Sequence, residues 1–280
     1  MNPLGNSSAV RRCAVLGSPI AHSLSPALHT AAYDHLGLIG WEYGRHEVDE
    51  AGLRPFLDRL DSTWRGLSLT MPLKQAALRC VDDASVLARS VSAANTILLE
   101  PDGRRYADNT DVLGMAHALR EGGAGPVDEA AVLGGGATAR SALASLRDLT
   151  ERVAVYLRTP SRVVELQGTA TTLGMAVEFR PWDERRYALG APLVVSTTPA
   201  GVVDDLTTAV PDNPGVFFDV IYAPWPTALA AAWLDHGGAV VSGLDLLVHQ
   251  ARLQVGAMTG RDVPIQVLRD AGDAALRERA

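Results

Sequence analysis

The sequence predicts an α/β fold, with a parallel, doubly wound sheet over its second half. Three observations point there. Short apolar segments alternate with stretches of helical periodicity from residue 12 to the end. A triple glycine, Gly134-Gly135-Gly136, stands between an apolar strand and an Ala/Leu-rich helix. Hydrophobic residues make up 47% of the 280, ample to bury a core.

Each element has its own signal. Arg12 to Leu16 is an apolar strand ending at Gly17, and Ser25-Pro26 opens a helix carrying Leu28, Ala31, Ala32 and Leu36 at helical spacing. Leu67, Leu69 and Met71 alternate as in a strand that Pro72 stops, and Lys74 to Cys80 reads as helix. Thr96 to Leu99 and Arg104 to Ala107 flank Pro-Asp-Gly, a hairpin signal. Ala130 to Leu133, Val153 to Leu157, Leu193 to Ser196, Val216 to Ile221 and Ala239 to Val241 are strands of the second half. Ala137 to Leu149 reads as helix, as do Leu244 to Thr259 and Pro264 to Arg279. Strands alternating with helices in this way suit a parallel sheet.

Composition excludes several function classes. With 25 basic against 32 acidic residues and no Lys/Arg run, nucleic acid is not an expected partner. No stretch reaches the roughly 18 apolar residues of a membrane helix, and Met1 to Arg12 lacks the apolar core of a signal peptide. Cys13 and Cys80 read as buried free thiols of a cytoplasmic protein. No Cys/His cluster has metal-ligand spacing; His22 and His29, the nearest approach to one, have no third ligand nearby in sequence.

Residues 132–139 carry the clearest chemistry. Gly134, Gly135, Gly136, Ala137, Thr138 and Ala139 fit G-x-G-x-x-A directly after a strand and at the opening of a helix. Glycines there permit a tight turn and close approach to a pyrophosphate, and the helix N-terminus supplies unpaired N–H groups. The next strand ends in Arg158-Thr159, about 24 residues past Gly134, with Arg162 one helical turn on. An NAD site places an acid there; guanidinium groups suit a 2′-phosphate, which favours NADP over NAD. Two surface arginines at a helix start are the competing reading.

Three segments of the first half are dressed for binding. Ser23 and Ser25, two apart beside a helix N-terminus, form a small carboxylate site, unless Ser25 only caps its helix. Thr70-Met71-Pro72-Leu73-Lys74 fixes an ammonium after a proline turn, although a lone Lys usually faces solvent. Asp108-Asn109-Thr110-Asp111 leads into a helix beginning near Val112, where Asp111 is either an N-cap or a functional carboxylate.

Seven ordered stretches together resemble the shikimate dehydrogenase family over nearly the whole chain: residues 17–26, 69–74, 92–96, 108–111, 196–201, 219–227 and 242–251. The resemblance implies an NADP-dependent enzyme that interconverts 3-dehydroshikimate and shikimate in aromatic amino acid biosynthesis. It implies Lys74 and Asp111 as the catalytic pair, and Ser23, Ser25 and Tyr222 on the substrate carboxylate. Thr70, Asn95 and Gln250 would hold ring hydroxyls, and Thr198, Val220 and Gly243 would line the nicotinamide side. The fold it implies has two domains. An α/β substrate domain spans residues 1–108 and 243–280, with the C-terminal helices returning to it. A Rossmann-like, doubly wound NADP-binding domain spans 109–242, with the active site between the two. A small-molecule substrate is then the expected partner, with no nucleic acid or membrane, and the assembly a monomer or homodimer.

The sequence departs from the family pattern at Ala137, where a fourth glycine is common, and at Leu157, where Asn is common. Asp245 stands where the family often has Met, and is expected to tune cofactor or substrate preference from near the nicotinamide. The rival readings are an NAD-dependent quinate/shikimate dehydrogenase, an aminoshikimate or polyol oxidoreductase, and a non-catalytic NADP-binding sensor.

Overall fold

The computed structural model describes residues 10–279. Residues 1–9, on which the reading of the N-terminus largely rests, lie outside them. The chain forms two compact units. The first holds the described residues up to Ala88, Ala93–Thr110 and those from Ala251 on; the second holds Arg89–Ser92 and Asp111–Gln250.

In chain order the first unit begins with β1 (Arg11–Gly17), α1 (Ser25–His35), β2 (Trp41–Glu47), α2 (Glu50–Leu57), β3 (Trp64–Leu69) and α3 (Leu73–Ala76). There follow β4 (Asp83–Ala84), α4 (Val86–Ser90), β5 (Thr96–Leu99) and β6 (Arg105–Asp108). The sheet order is β2-β1-β3-β5-β6-β4. Strands β2, β1 and β3 run parallel, and β5 runs antiparallel to both β3 and β6. The core packs Ala14, Leu16, Leu53, Leu57, Leu67, Leu73 and Ile97 together, all essentially inaccessible.

Two elements here escape a reading of the sequence. Strand β2, Trp-Glu-Tyr-Gly-Arg-His-Glu, lies on the sheet edge, half exposed, so only its pairing with β1 makes it a strand. Helix α2 carries Pro55 inside it and is started by Asp49, whose carboxylate accepts from Gly52 N–H at 2.8 Å. The expected helix over 74–80 is α-helical only to Ala76; a 3₁₀ turn, Ala77–Arg79, completes it.

The second unit continues with α5 (Thr110–Glu121), β7 (Ala130–Leu133), α6 (Ala137–Leu146), β8 (Arg152–Leu157), α7 (Arg162–Leu173) and β9 (Ala176–Pro181). It is completed by β10 (Leu193–Ser196), β11 (Val216–Asp219), α8 (Ala228–Asp235), β12 (Ala239–Val241) and the first half of α9 (Gly243–Thr259). The rest of α9 and α10 (Ile265–Arg277) belong to the first unit, where α10 packs on α1. All six strands are parallel, in the order β9-β8-β7-β10-β11-β12. This is the doubly wound dinucleotide order, which reverses between β7 and β10; ligands of such sheets bind outside the carboxyl ends at that point. Among the described residues no helix is long and apolar enough to cross a membrane.

A buried polar network runs through the first unit. Tyr43 Oη donates to Ser68 Oγ at 2.6 Å, and Ser68 Oγ donates to Gln254 Oε1 at 2.8 Å. Gln254 Nε2 donates to Asn95 O at 3.1 Å and to Thr96 Oγ1 at 2.9 Å. His29, fully buried, stacks on Tyr43 at 3.9 Å between centroids. Neither ring nitrogen makes a hydrogen bond of good geometry, and burial pushes the imidazole down to about 3, only partly offset by Gln254. The folded state thus keeps His29 neutral while an unfolded chain protonates it below about 6.5. Its stabilising share is intact above that pH and is lost as pH falls toward 3, at about 1.4 kcal/mol per pH unit. We expect His29→Phe, which keeps the stacking, to recover about 3 kcal/mol relative to wild type between pH 7 and 4.5. Urea unfolding at both pH values measures this; parallel losses in the two proteins would refute it.

Candidate active site

In the first unit, three of the segments singled out in the sequence meet at the carboxyl ends of β1 and β3. Thr70 N donates to Leu16 O at 2.9 Å, and Ser18 N donates to Met71 O at 3.0 Å, so both loops leave the sheet side by side. Gly17 is required there, because a Cβ would lie 2.4 Å from Thr70 Cγ2 and 2.9 Å from Met71 O. Lys74, half-buried in α3, accepts from Ala94 N through its carbonyl at 2.7 Å, and Leu69 N donates to Asn95 O at 2.7 Å. Residues 18–26, 70–74 and 93–95 are therefore one hydrogen-bonded assembly.

Ser25 does not cap α1. It occupies the first helical position, buried, and its N–H donates to Ser23 Oγ at 3.3 Å, so Ser23 closes the turn. The loop is pinned from the C-terminus by Arg279, which donates to His22 O at 2.8 Å and Ser23 O at 3.3 Å. Asn95, 2% exposed, has a structural duty. Its Oδ1 accepts from Thr110 N at 2.8 Å and Thr96 Oγ1 at 2.9 Å, and its Nδ2 donates to Thr110 Oγ1 at 2.9 Å. The start of α5 is thereby tied to β5, one residue before Asp111.

Asp111, buried, lies inside the first turn of α5 and not at its cap, because the helix begins at Thr110. A carboxylate there gains from the helix dipole. In the second unit α5 and α9 approach closely: a Cβ on Gly114 would sit 2.9 Å from both the N and Cβ of Gln250. Asp111 precedes Gly114 by three residues, so it shares the helix face that meets Gln250. Gln250 Nε2 donates to Leu247 O at 3.0 Å. Tyr222, half-buried, belongs to a loop organised by Asp219, whose carboxylate accepts from Ile221 N at 3.2 Å and Thr227 Oγ1 at 2.8 Å. Burial raises the Asp219 pKa against those two bonds.

The nucleotide segment follows the geometry its glycines permit. Gly134 has φ +117°, and a Cβ there would meet Thr197 Oγ1 at 2.4 Å. Gly135 packs against Leu157 and Arg162, and Gly136 sits extended at the cap of α6 with no side-chain hydrogen bond to the helix N–H groups. Ala137 and Thr138 line the first turn and Ala139 is buried beneath it. This is a cradle that a pyrophosphate fits. Arg158 and Thr159 are exposed just past β8, and Arg162 opens α7. On β10's side, Thr198 Oγ1 lies 3.1 Å from Ser196 Oγ. Val220 and Gly243 touch: Gly243 N donates to Ile221 O at 3.1 Å, and a Cβ on Gly243 would fall 1.9 Å from Val220 O.

Asp245 has a local partner. Its carboxylate accepts from Ser242 N at 3.0 Å and Ser242 Oγ at 2.7 Å, while Ser242 Oγ accepts from Asp245 N at 3.2 Å. This is a capping box that starts α9.

Comparison with known proteins fits this geometry. Residues 15–97 match the model of the shikimate dehydrogenase substrate binding domain. A shikimate dehydrogenase (NADP(+)) of Methylobacterium radiotolerans is 38% identical over 262 residues, covering 88% of this chain and 90% of its own. The chain belongs to the shikimate dehydrogenase family. Among solved members, the Mycobacterium tuberculosis shikimate dehydrogenase superposes with a TM-score of 0.86 at 40% identity, over 94% of this chain and 99% of that one. The Thermus thermophilus shikimate 5-dehydrogenase, in complex with NADP(H) and shikimate, gives 0.83 at 33% identity over 95% and 100%. The family's two-domain α/β architecture is thus this chain's as well.

Sequence reasoning gave no role to Gly114, Asp219, Gln254, Arg140 or Glu165. Asp219 ends a buried strand eight residues before a Thr, a faint signal, and Glu165 stands three residues after Arg162 on one helix; the others meet partners remote in sequence and leave none.

Proposed function

We propose that this chain is an NADP-dependent shikimate dehydrogenase, interconverting 3-dehydroshikimate and shikimate. The observation that carries the reading is the joining of Ser23, Ser25, Thr70, Lys74 and Asn95 into one hydrogen-bonded assembly, in a chain of this family. Its two cysteines are buried free thiols, which suits the reducing cytoplasm where we place the enzyme.

Ser23 and Ser25, beside the N-terminus of α1, bind the substrate carboxylate together with Tyr222. Thr70, Asn95 and Gln250 orient the ring through its hydroxyls. The cradle from Gly134 to Ala139 holds the pyrophosphate, Arg158, Thr159 and Arg162 the adenosine 2′-phosphate, and Thr198, Val220 and Gly243 the nicotinamide. Bound NADPH supplies the hydride to the 3-keto carbon. Lys74 stabilises the charge growing on the oxygen and donates the proton it needs; in the reverse direction Lys74 is the base. Asp111 accepts a hydrogen bond from the substrate hydroxyl or Lys74 and fixes the geometry.

The test is the loss of NADPH absorbance with 3-dehydroshikimate, beside shikimate and quinate oxidation with NADP⁺ and NAD⁺. We expect kcat/KM for shikimate with NADP⁺ to exceed every other pairing by about tenfold or more, the size of one charge-assisted phosphate contact. Preference for quinate with NAD⁺ would instead establish the catabolic rival.

A further inference from the structure

Glu165 lies where two arginines meet. Arg162, the first residue of α7, pairs with its carboxylate at 3.3 Å and is about half exposed. Arg140 in α6 pairs with the same oxygen at 2.6 Å, and its side chain is 1% exposed. Among the described residues no other carboxylate lies within 4.0 Å of either guanidinium.

The two arginines hold Glu165 very differently. Arg140 is anchored: its Nε donates to Val91 O at 2.8 Å and its Nη2 to Ser92 O at 3.4 Å. Burial pushes the Arg140 guanidinium down, Glu165 opposes this, and the charge of Arg162 adds slightly to the push. A buried cation needs its counter-charge, so Glu165 cannot leave Arg140 to make room for another anion. Arg162 is tied by one long contact on the surface, which is weak and exchangeable.

We propose that Glu165 is a specificity-setting carboxylate of the nucleotide site, a resident anion that a 2′-phosphate must share Arg162 with. The proposal rests on the reading that Arg162 faces the 2′-phosphate. Glu165 repels that phosphate and lowers the affinity for the phosphorylated nucleotide alone. A nucleotide with an unmodified 2′-hydroxyl carries no charge there and is unaffected. The enzyme therefore discriminates between the two nucleotides less than Arg158 and Arg162 alone would permit.

The test is binding of two fragments, 2′,5′-ADP and 5′-AMP, to the full-length protein by calorimetry. Glu165→Gln removes the charge and keeps an acceptor for Arg140. Glu165→Ser is made beside it, since either neutral side chain tests the charge, and thermal melting checks that both fold. One unit charge removed at this surface separation should tighten 2′,5′-ADP by about three- to tenfold and leave 5′-AMP within about twofold. Equal shifts for both fragments, or weaker binding of 2′,5′-ADP, overturn the proposal. Arg162→Ala separates the two levels. If it weakens 2′,5′-ADP selectively while Glu165→Gln changes nothing, only the role of Glu165 fails. If it weakens both fragments alike, the 2′-phosphate reading of Arg162 fails first.

Discussion

Lys74→Ala should lower turnover by about a hundredfold or more while the protein still binds NADPH with near-wild-type affinity. Positioned acid–base groups contribute about a hundred- to ten-thousand-fold, and alanine has neither the charge nor the transferable protons of the ammonium. The substitution suits the site sterically. Lys74 lies in α3, Ala is the best helix former, and the bond from Ala94 N reaches the Lys74 carbonyl, which the variant keeps. The residues proposed to hold NADPH belong to the other unit. A large fall in kcat with unchanged NADPH affinity, read by fluorescence titration, is therefore the expected pairing. Turnover within a few-fold of wild type would remove Lys74 from the chemistry.

Gly243→Ala should be among the most damaging single methyl groups in the second unit. The new Cβ would fall 1.9 Å from Val220 O, 2.5 Å from Val220 C and 2.9 Å from Ile221 C. These are backbone atoms, so no rotamer change relieves the clash; the start of α9 must separate from the loop after β11. Overpacking of this kind costs about 3 kcal/mol, or roughly 6–12 °C in melting temperature for a unit of this size. Because Val220 and Gly243 are proposed to line the nicotinamide side, NADPH affinity should fall by about tenfold or more along with stability. A variant that melts and binds as wild type would show that the close approach is not required.

The elements legible in the sequence are those whose signal is local. The unit β7–turn–α6 announces itself because Gly134 must adopt a positive φ and Ala130 to Leu133 are buried on both faces. The edge strands β2 and β9 are half exposed, and β2 is largely polar, so their identity comes from pairing with a neighbour, which composition does not record. The same division runs through the candidate site. Ser23 and Thr70 stand in punctuated loops that draw the eye, and Lys74 follows a proline turn at the start of α3, whereas the duty of Asn95 depends on Thr110, fifteen positions away. The Ser242–Asp245 box is a different case. Its spacing is a known helix-start pattern, legible in the sequence beside the reading of Asp245 as a tuning charge. For Ser25 the competing cap reading falls: the oxygen that accepts at this turn belongs to Ser23, because the helix starts one residue earlier than a Ser25 cap requires.

The membership of Arg89–Ser92 in the second unit has a practical consequence for anyone dissecting the enzyme. These four residues sit between β4 and β5, yet their carbonyls at Val91 and Ser92 are acceptors for the Arg140 guanidinium. A fragment cut at 111 and 250 would look continuous and complete on paper. It would carry a buried arginine stripped of its backbone acceptors, with Glu165 alone left to offset its desolvation. Such a fragment should express poorly or aggregate. The second unit is a module by architecture only, and grafting it onto another scaffold requires bringing those four residues with it.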